Sequence, residues 1–109
     1  MDLDKETQEK IQQLQLLEQT IHSILVQKQT FQIELNETEN AISEVIKSKD
    51  DIYKVVGKIM VKVSKEYIEK ELNHKKELLS LRIKSIEKQE SALTNQIEEL
   101  REQIMKKIK

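Results

Sequence analysis

The 109-residue chain has no cysteine, no proline, no tryptophan and a single glycine, Gly57. Without cysteine there are no disulfides and no thiolate metal ligands, which is compatible with a reducing compartment. Without proline, and with glycine confined to one position, nothing breaks a helix elsewhere. The aromatic residues are only Phe31, Tyr53 and Tyr67, fewer rings than a compact globular core uses. An excess of one charge is also missing. The 19 basic and 20 acidic residues leave a formal net charge of −1, so there is no general attraction to nucleic acid or to an anionic membrane. No apolar run approaches the roughly 20 residues needed to span a bilayer. The start, Met1-Asp2-Leu3-Asp4-Lys5, lacks the apolar stretch of a signal peptide. The expectation is a soluble cytoplasmic protein of one domain, 1–109.

What the chain does have is charge, 36% of its residues, and a seven-residue apolar rhythm. That combination favours long helix or coiled coil. With Leu14 at position a, the a/d series runs Leu14, Leu17, Ile21, Ile24, Lys28, Phe31, Leu35, Thr38, Ile42 and Val45, and only Lys28 and Thr38 are polar. The rhythm predicts a helix over 4–47, roughly 60 Å long, with Asp2 and Asp4 able to cap its start. A second helix over 64–109 is expected to open on Ser64 as N-cap. Its seam is Leu72, Lys76, Leu79, Ile83, Ile86, Glu90, Leu93, Ile97, Leu100 and Ile104, with Lys76 and Glu90 polar.

The two halves can pair with each other. An antiparallel alignment centred on Gly57 sets Leu14 against Leu100, Leu17 against Ile97, Ile21 against Leu93, Phe31 against Ile83, Leu35 against Leu79 and Ile42 against Leu72. It brings Thr38 opposite Lys76 and puts Lys28 and Glu90 in neighbouring layers. An alignment displaced by one heptad fits the apolar positions nearly as well. Two readings suit Lys28: an ion pair with Glu90 that specifies register, or a stem that snorkels out of the seam.

Between the helices, residues 48–63 form a linker and a β element. Ile52-Tyr53-Lys54-Val55-Val56 and Ile59-Met60-Val61-Lys62-Val63 are rich in β-branched residues and flank Gly57-Lys58. Gly57 supplies the positive φ that a tight hairpin turn wants. An isolated two-stranded hairpin is marginal in water and leaves two bare edges. Ile52, Tyr53, Val55, Val56, Gly57, Ile59, Val61 and Val63 are therefore expected to join other hairpins in an oligomer. The competing reading extends the helices through a bend.

No constellation for catalysis, cofactor or metal stands out. His22 and His74 fall on solvent-facing heptad positions, with no second ligand at metal spacing. There is no glycine-rich phosphate loop, and a two-helix seam cannot bury a carboxylate pair. The expectation is a non-enzyme. Apolar residues off the seam gather instead near both termini: Ile11, Leu16, Met105 and Ile108, beside seam residues Leu3, Leu14, Leu17, Leu100 and Ile104. Gln8, Gln12, Gln13, Gln15 and Gln19 surround them. Such an end suits adaptable contacts of low specificity, though scattered surface aliphatics are also ordinary. Leu25, Val26, Ile33, Leu78 and Leu81 also lie off the seam. Arg101, Lys106, Lys107 and Lys109 suit either an acidic partner or simple matching of the helix dipole.

Several segments carry a resemblance: Val26-Gln27-Lys28-Gln29-Thr30, Asn36-Glu37-Thr38, Tyr53-Lys54-Val55-Val56-Gly57, Val61-Lys62-Val63, Leu81-Arg82-Ile83-Lys84 and Glu87-Lys88-Gln89-Glu90. In their order and spacing around one central hairpin, the chain resembles the β-class subunit of archaeal prefoldin over essentially its whole length. Room for one hairpin, where α-class subunits carry two, favours the β class. The resemblance implies a mainly α fold: a long antiparallel coiled-coil hairpin with one β-hairpin at the bend. It implies a hexamer of two α-class and four β-class subunits, with the hairpins forming a double-barrel body. The coiled-coil tips of such a holdase would capture unfolded proteins without ATP and pass them to a group II chaperonin. By position, Leu3, Ile11, Leu14, Leu16, Leu17, Ile104, Met105 and Ile108 would face clients. Arg101, Lys106, Lys107 and Lys109 would meet the chaperonin. Cofactors, nucleic acid and membrane are not implied. Two departures stand out: Lys58 follows the turn glycine where members often carry Pro or Asn, and the sequence stops at Lys109, short of the tail some members have. A structural spacer or tether in a larger machine is the alternative, and the Val-rich hairpin is what such a spacer would not need.

Overall fold

The structure, a computed structural model, describes residues 4–108. Its elements are helix α1 (Lys5–Lys47), strands β1 (Ile52–Val56) and β2 (Ile59–Val63), and helix α2 (Lys65–Ile108). Asp4 caps α1, the backbone N–H of Thr7 donating to its Oδ1 at 2.7 Å. Ser64 caps α2 in the same way through the N–H of Tyr67 at 3.1 Å. These bonds satisfy donors that a first helical turn leaves unpaired. α1 ends where apolar periodicity gives way to Ser48-Lys49-Asp50-Asp51. There the Ser48 N–H donates to the Glu44 carbonyl at 3.0 Å, and the Lys65 ammonium reaches the freed carbonyl of Ile46 at 2.9 Å.

The chain separates into two compact units. One, the terminal unit, takes the chain through Gln29 and from Lys84 onward; the other, the hairpin unit, is Thr30–Ile83. In the terminal unit Thr7, Ile86, Ile97, Leu100 and Ile104 are buried, and Leu14, Leu17, Ile21, Ile24, Lys28, Glu90 and Leu93 are half-buried. Cross-helix ion pairs fix the direction of the helices here. Asp4 meets Lys107 at 3.6 Å, Glu18 meets Arg101 at 2.9 Å, and Lys28 meets Glu90 at 3.1 Å and Glu87 at 3.6 Å. Partners on α2 fall in number as those on α1 rise, so the helices are antiparallel. Asp4–Lys107 and Lys28–Glu87 favour the alignment centred on Gly57, whereas Lys28–Glu90 and Glu18–Arg101 lie nearer the one displaced by a heptad. A shift of one heptad would separate Asp4 and Lys107 by roughly two to three helical turns. Of the two readings of Lys28, the ion pair is the one observed.

In the hairpin unit the core is Thr38, Ile68, Leu79 and Ile83, flanked by half-buried Phe31, Leu35, Ile42, Val45 and Leu72. Arg82 lies over the Phe31 ring, 5.6 Å from its centroid, a cation–π contact between the helices. The Thr38–Lys76 layer does not become a polar pair. Thr38 is only 3% exposed, and its hydroxyl donates instead to the Glu34 carbonyl one turn back at 2.8 Å, while the Lys76 side chain is exposed. A threonine can satisfy itself this way in a helix, so no partner from α2 is required.

The β-branched runs form strands. β1 and β2 pair antiparallel with Ile52 opposite Val63, Lys54 opposite Val61 and Val56 opposite Ile59 on one face, and Tyr53 opposite Lys62 and Val55 opposite Met60 on the other. Gly57 has φ of +60°, and among the described residues no non-glycine residue has positive φ. Positive φ at Gly57 followed by negative φ at Lys58 is the sign pattern of a type II′ turn, which accepts lysine in its second place. A Cβ at Gly57 would meet nothing within 4 Å, so any penalty there is purely conformational. Gly57→Ala is expected to destabilise the hairpin by about 1 kcal/mol, and Gly57→Asn by less, because asparagine tolerates the left-handed region better. Amide exchange of β1 and β2 in the purified protein checks this, and unchanged protection in Gly57→Ala would contradict it.

Candidate functional site

Two surfaces stand out, one in each unit. In the hairpin unit, side chains alternate across two strands with no second layer over them. Ile52 and Val63, at the base, are half-buried. Tyr53, Val55, Val56, Ile59, Met60 and Val61 are exposed, with Val55 at 68% and Met60 at 67%. Both faces are therefore apolar and uncovered towards the turn. The sheet has two strands, so each strand also has one unpaired edge. Exposed apolar area of this concentration marks an interaction surface.

The hairpin is held by charge. Lys54, on the face it shares with Ile52 and Val56, reaches down to α2 and donates to Glu71 Oε1 at 2.6 Å. This hydrogen bond, with the attraction between the charges, raises the Lys54 pKa and lowers that of Glu71 against partial desolvation. The other oxygen, Glu71 Oε2, is buried and has no hydrogen-bond partner among the described residues. On the opposite face Lys62 pairs with Asp51 at 3.4 Å. Nothing in the sequence pattern points to Lys54–Glu71, because a strand residue and a helix residue seventeen positions on share no period.

In the terminal unit, the residues that sequence reasoning assigned to binding divide by depth. Leu16, Met105 and Ile108 are exposed, Leu16 at 65%. Ile11, Leu14 and Leu17 are half-buried, and Ile104 is buried in the seam. Leu3 and Lys109 lie outside the described residues. Of the basic group, Arg101 and Lys107 are engaged with Glu18 and Asp4, and Lys106 is exposed. Asp4 has its pKa lowered, first by the Thr7 hydroxyl and N–H and then by Lys107. Lys28 has its pKa raised, chiefly by Glu90. His22 and His74 are exposed, and no group of His, Asp or Glu among the described residues is placed to hold a metal ion. Among those residues, too, no helix is long and apolar enough to cross a membrane.

Two long antiparallel helices joined through one exposed β-hairpin define a coiled-coil hairpin subunit. Comparison with known proteins narrows the class. The prefoldin subunit family matches residues 8–109. The prefoldin subunit beta of Saccharolobus islandicus is 39% identical over 104 residues, covering 94% of this chain and 82% of that protein. That of Pyrobaculum calidifontis is 41% identical over 90 residues, covering 81% and 72%. The crystal structure of the prefoldin beta subunit from Thermococcus strain KS-1 superposes with a TM-score of 0.90 at 32% identity, over 96% of this chain and 94% of that one. The chain belongs to the prefoldin subunit family, in its β class.

The Lys54–Glu71 pair gives the hairpin a pH dependence of definite sign. Glu71 has a folded pKa below its unfolded value, so its contribution is present above the unfolded value and lost as pH falls through the folded one. Lys54 has a raised pKa, so its contribution holds below the unfolded value and is lost as pH rises through the folded one. Glu71→Gln is therefore expected to speed amide exchange of β1 relative to wild type at neutral pH, with the difference vanishing as acid protonates Glu71. Equal exchange at neutral pH would show that the pair does not hold the hairpin.

Proposed function

We propose that this chain is a subunit of a cytoplasmic, ATP-independent holding chaperone. It would assemble through its hairpin with further copies of itself and with an α-class prefoldin subunit, as two α and four β. The observation that carries this reading is the hairpin with six large apolar residues exposed over its two faces, in a chain whose relatives are prefoldin β subunits. A lone sheet of two strands gains little from folding by itself. Pairing of its edges and burial of Val55, Val56, Ile59, Met60 and Val61 against neighbours stabilises both hairpin and assembly.

The terminal unit is then free to work on unfolded proteins. Leu16, Met105 and Ile108 offer exposed apolar contact, and Ile11 lies half-buried beside them. Leu14, Leu17, Leu100 and Ile104 become available when the helix ends fray, and Leu3 is assigned with them by position. Each contact is weak. Several ends on one body raise the effective concentration, so holding is firm while any single contact exchanges fast. Arg101, Lys106, Lys107 and Lys109 are the residues we assign to an acidic surface on a group II chaperonin. Docking there would require Arg101 and Lys107 to exchange Glu18 and Asp4 for partner carboxylates, at little cost for exposed pairs.

The assignment is tested by Ile11→Ser combined with Ile108→Ser. The double variant is expected to suppress aggregation of an unfolded client less well than wild type while assembling normally. Undiminished suppression would overturn the client-holding role, and a spacer or tether function would then account better for the fold.

A further inference from the structure

A helical surface faces a difficulty in holding an unfolded chain. Helix backbone N–H and C=O groups are paired within the helix, so an incoming polypeptide cannot add to them as it adds to a sheet edge. Apolar contact alone would desolvate the client's peptide groups and leave them unpaired, which is costly. Something on the surface has to offer both donors and acceptors to a backbone of any sequence.

The terminal unit carries such groups in quantity. Ten of the eleven glutamines, Gln8, Gln12, Gln13, Gln15, Gln19, Gln27, Gln29, Gln89, Gln96 and Gln103, belong to it, and only Gln32 belongs to the hairpin unit. Glutamine is a good helix former in either place, so helix propensity does not account for this distribution. Three of these residues converge. Gln13 from α1 and Gln96 and Gln103 from α2 rim a groove of about 230 Å³ that Lys10, Leu17, Glu99 and Leu100 also line. All three side chains are exposed, and among the described residues none has a hydrogen-bond partner. A carboxamide presents one acceptor oxygen and two N–H donors with no charge, the same complement as a peptide group. The groove is smaller than the roughly 300–1,000 Å³ of sites that enclose a small molecule, which suits a strand crossing it better than a compact ligand.

We propose that Gln13, Gln96 and Gln103 form a subsite for the backbone of an extended, unfolded polypeptide, its carboxamides pairing with client peptide groups while the half-buried Leu17 offers apolar contact. The inference rests on the client-holding reading and supplies its mode of recognition. The amides are neutral and the Lys10 and Glu99 beside them carry opposite charges, so neither sign of client charge is favoured overall, and water competes for each bond, so contact stays brief.

The test uses the assembled complex purified through this chain. Its ligands are a short unstructured peptide rich in leucine and serine and the same peptide N-methylated at alternate backbone amides. Wild type is expected to bind the methylated form about fivefold more weakly, the value of roughly one net hydrogen bond. The triple variant Gln13→Met, Gln96→Met, Gln103→Met keeps side-chain length and helix propensity while making the groove more apolar. It is expected to bind the parent peptide about fivefold more weakly than wild type and to make no distinction between the two peptides. A triple alanine variant, which adds no exposed long apolar side chain, is expected to show the same loss. Equal or tighter binding by the Met and Ala variants, or discrimination that survives in them, would overturn the proposal. In that case Ile11→Ser with Ile108→Ser separates the two levels. If it weakens peptide binding, only the amide subsite falls; if it does not, the holding reading falls with it.

Discussion

A seam between two helices accepts only one stripe of side chains from each. This chain carries more apolar residues than that stripe can cover, and the constraint governs much of what the structure does. Among the described residues the seam positions are covered or half-covered at nearly every heptad, from Thr7 through Val45 on α1 and from Leu72 through Ile104 on α2, with Lys76 the departure. The remainder is exposed along the helices at Leu25, Val26, Ile33, Ile46, Tyr67, Leu78 and Leu81, at the hairpin, where Val55, Ile59 and Met60 face outward, and at the end where Leu16, Met105 and Ile108 do. A protein that meets its partners through such surfaces needs no enclosed pocket. On the proposed reading one surface builds the assembly and the other serves unfolded chains.

Charge does the aligning that apolar residues cannot. Isoleucine and leucine would pack nearly as well one heptad out of step. Lys107 with Asp4 and Lys28 with Glu87 discriminate against that slip, whereas Arg101 with Glu18 and Lys28 with Glu90 would tolerate it. Each exposed pair contributes little stability, but a misaligned register forfeits Asp4–Lys107 outright. Lys54 and Glu71 do a comparable job for the hairpin, tying β1 to the first turns of α2.

Much of the fold was legible from residue spacing. Seven-residue repeats marked both helices, Ser64 marked the start of α2, and Gly57 between β-branched runs marked the turn. These features depend on local sequence, where period and backbone preference suffice. Lys28–Glu90 was legible as one of two readings, because an antiparallel alignment predicts which layers adjoin. Burial of Thr7 follows from carrying the heptad one repeat before Leu14, yet a polar residue there gave no reason to extend it. The Lys54–Glu71 contact depends on how the hairpin leans on α2, which no repeat encodes. The depth of Ile104 and the exposure of Ile108 follow the heptad, which sets the first on the seam and the second off it. The convergence of Gln13, Gln96 and Gln103 depends on the register of the two helices, which the repeat leaves open between two alignments. Their abundance was visible in the sequence, but which of them share a groove was not.

The central claim is that the exposed hairpin makes this chain part of a mixed assembly of fixed size. The most direct measurement is the native mass and subunit composition of the complex isolated from its source through this chain. The account predicts four copies of this subunit with two of a longer, two-hairpin partner. A simple homodimer, or a stable complex with unrelated structural proteins, would contradict it.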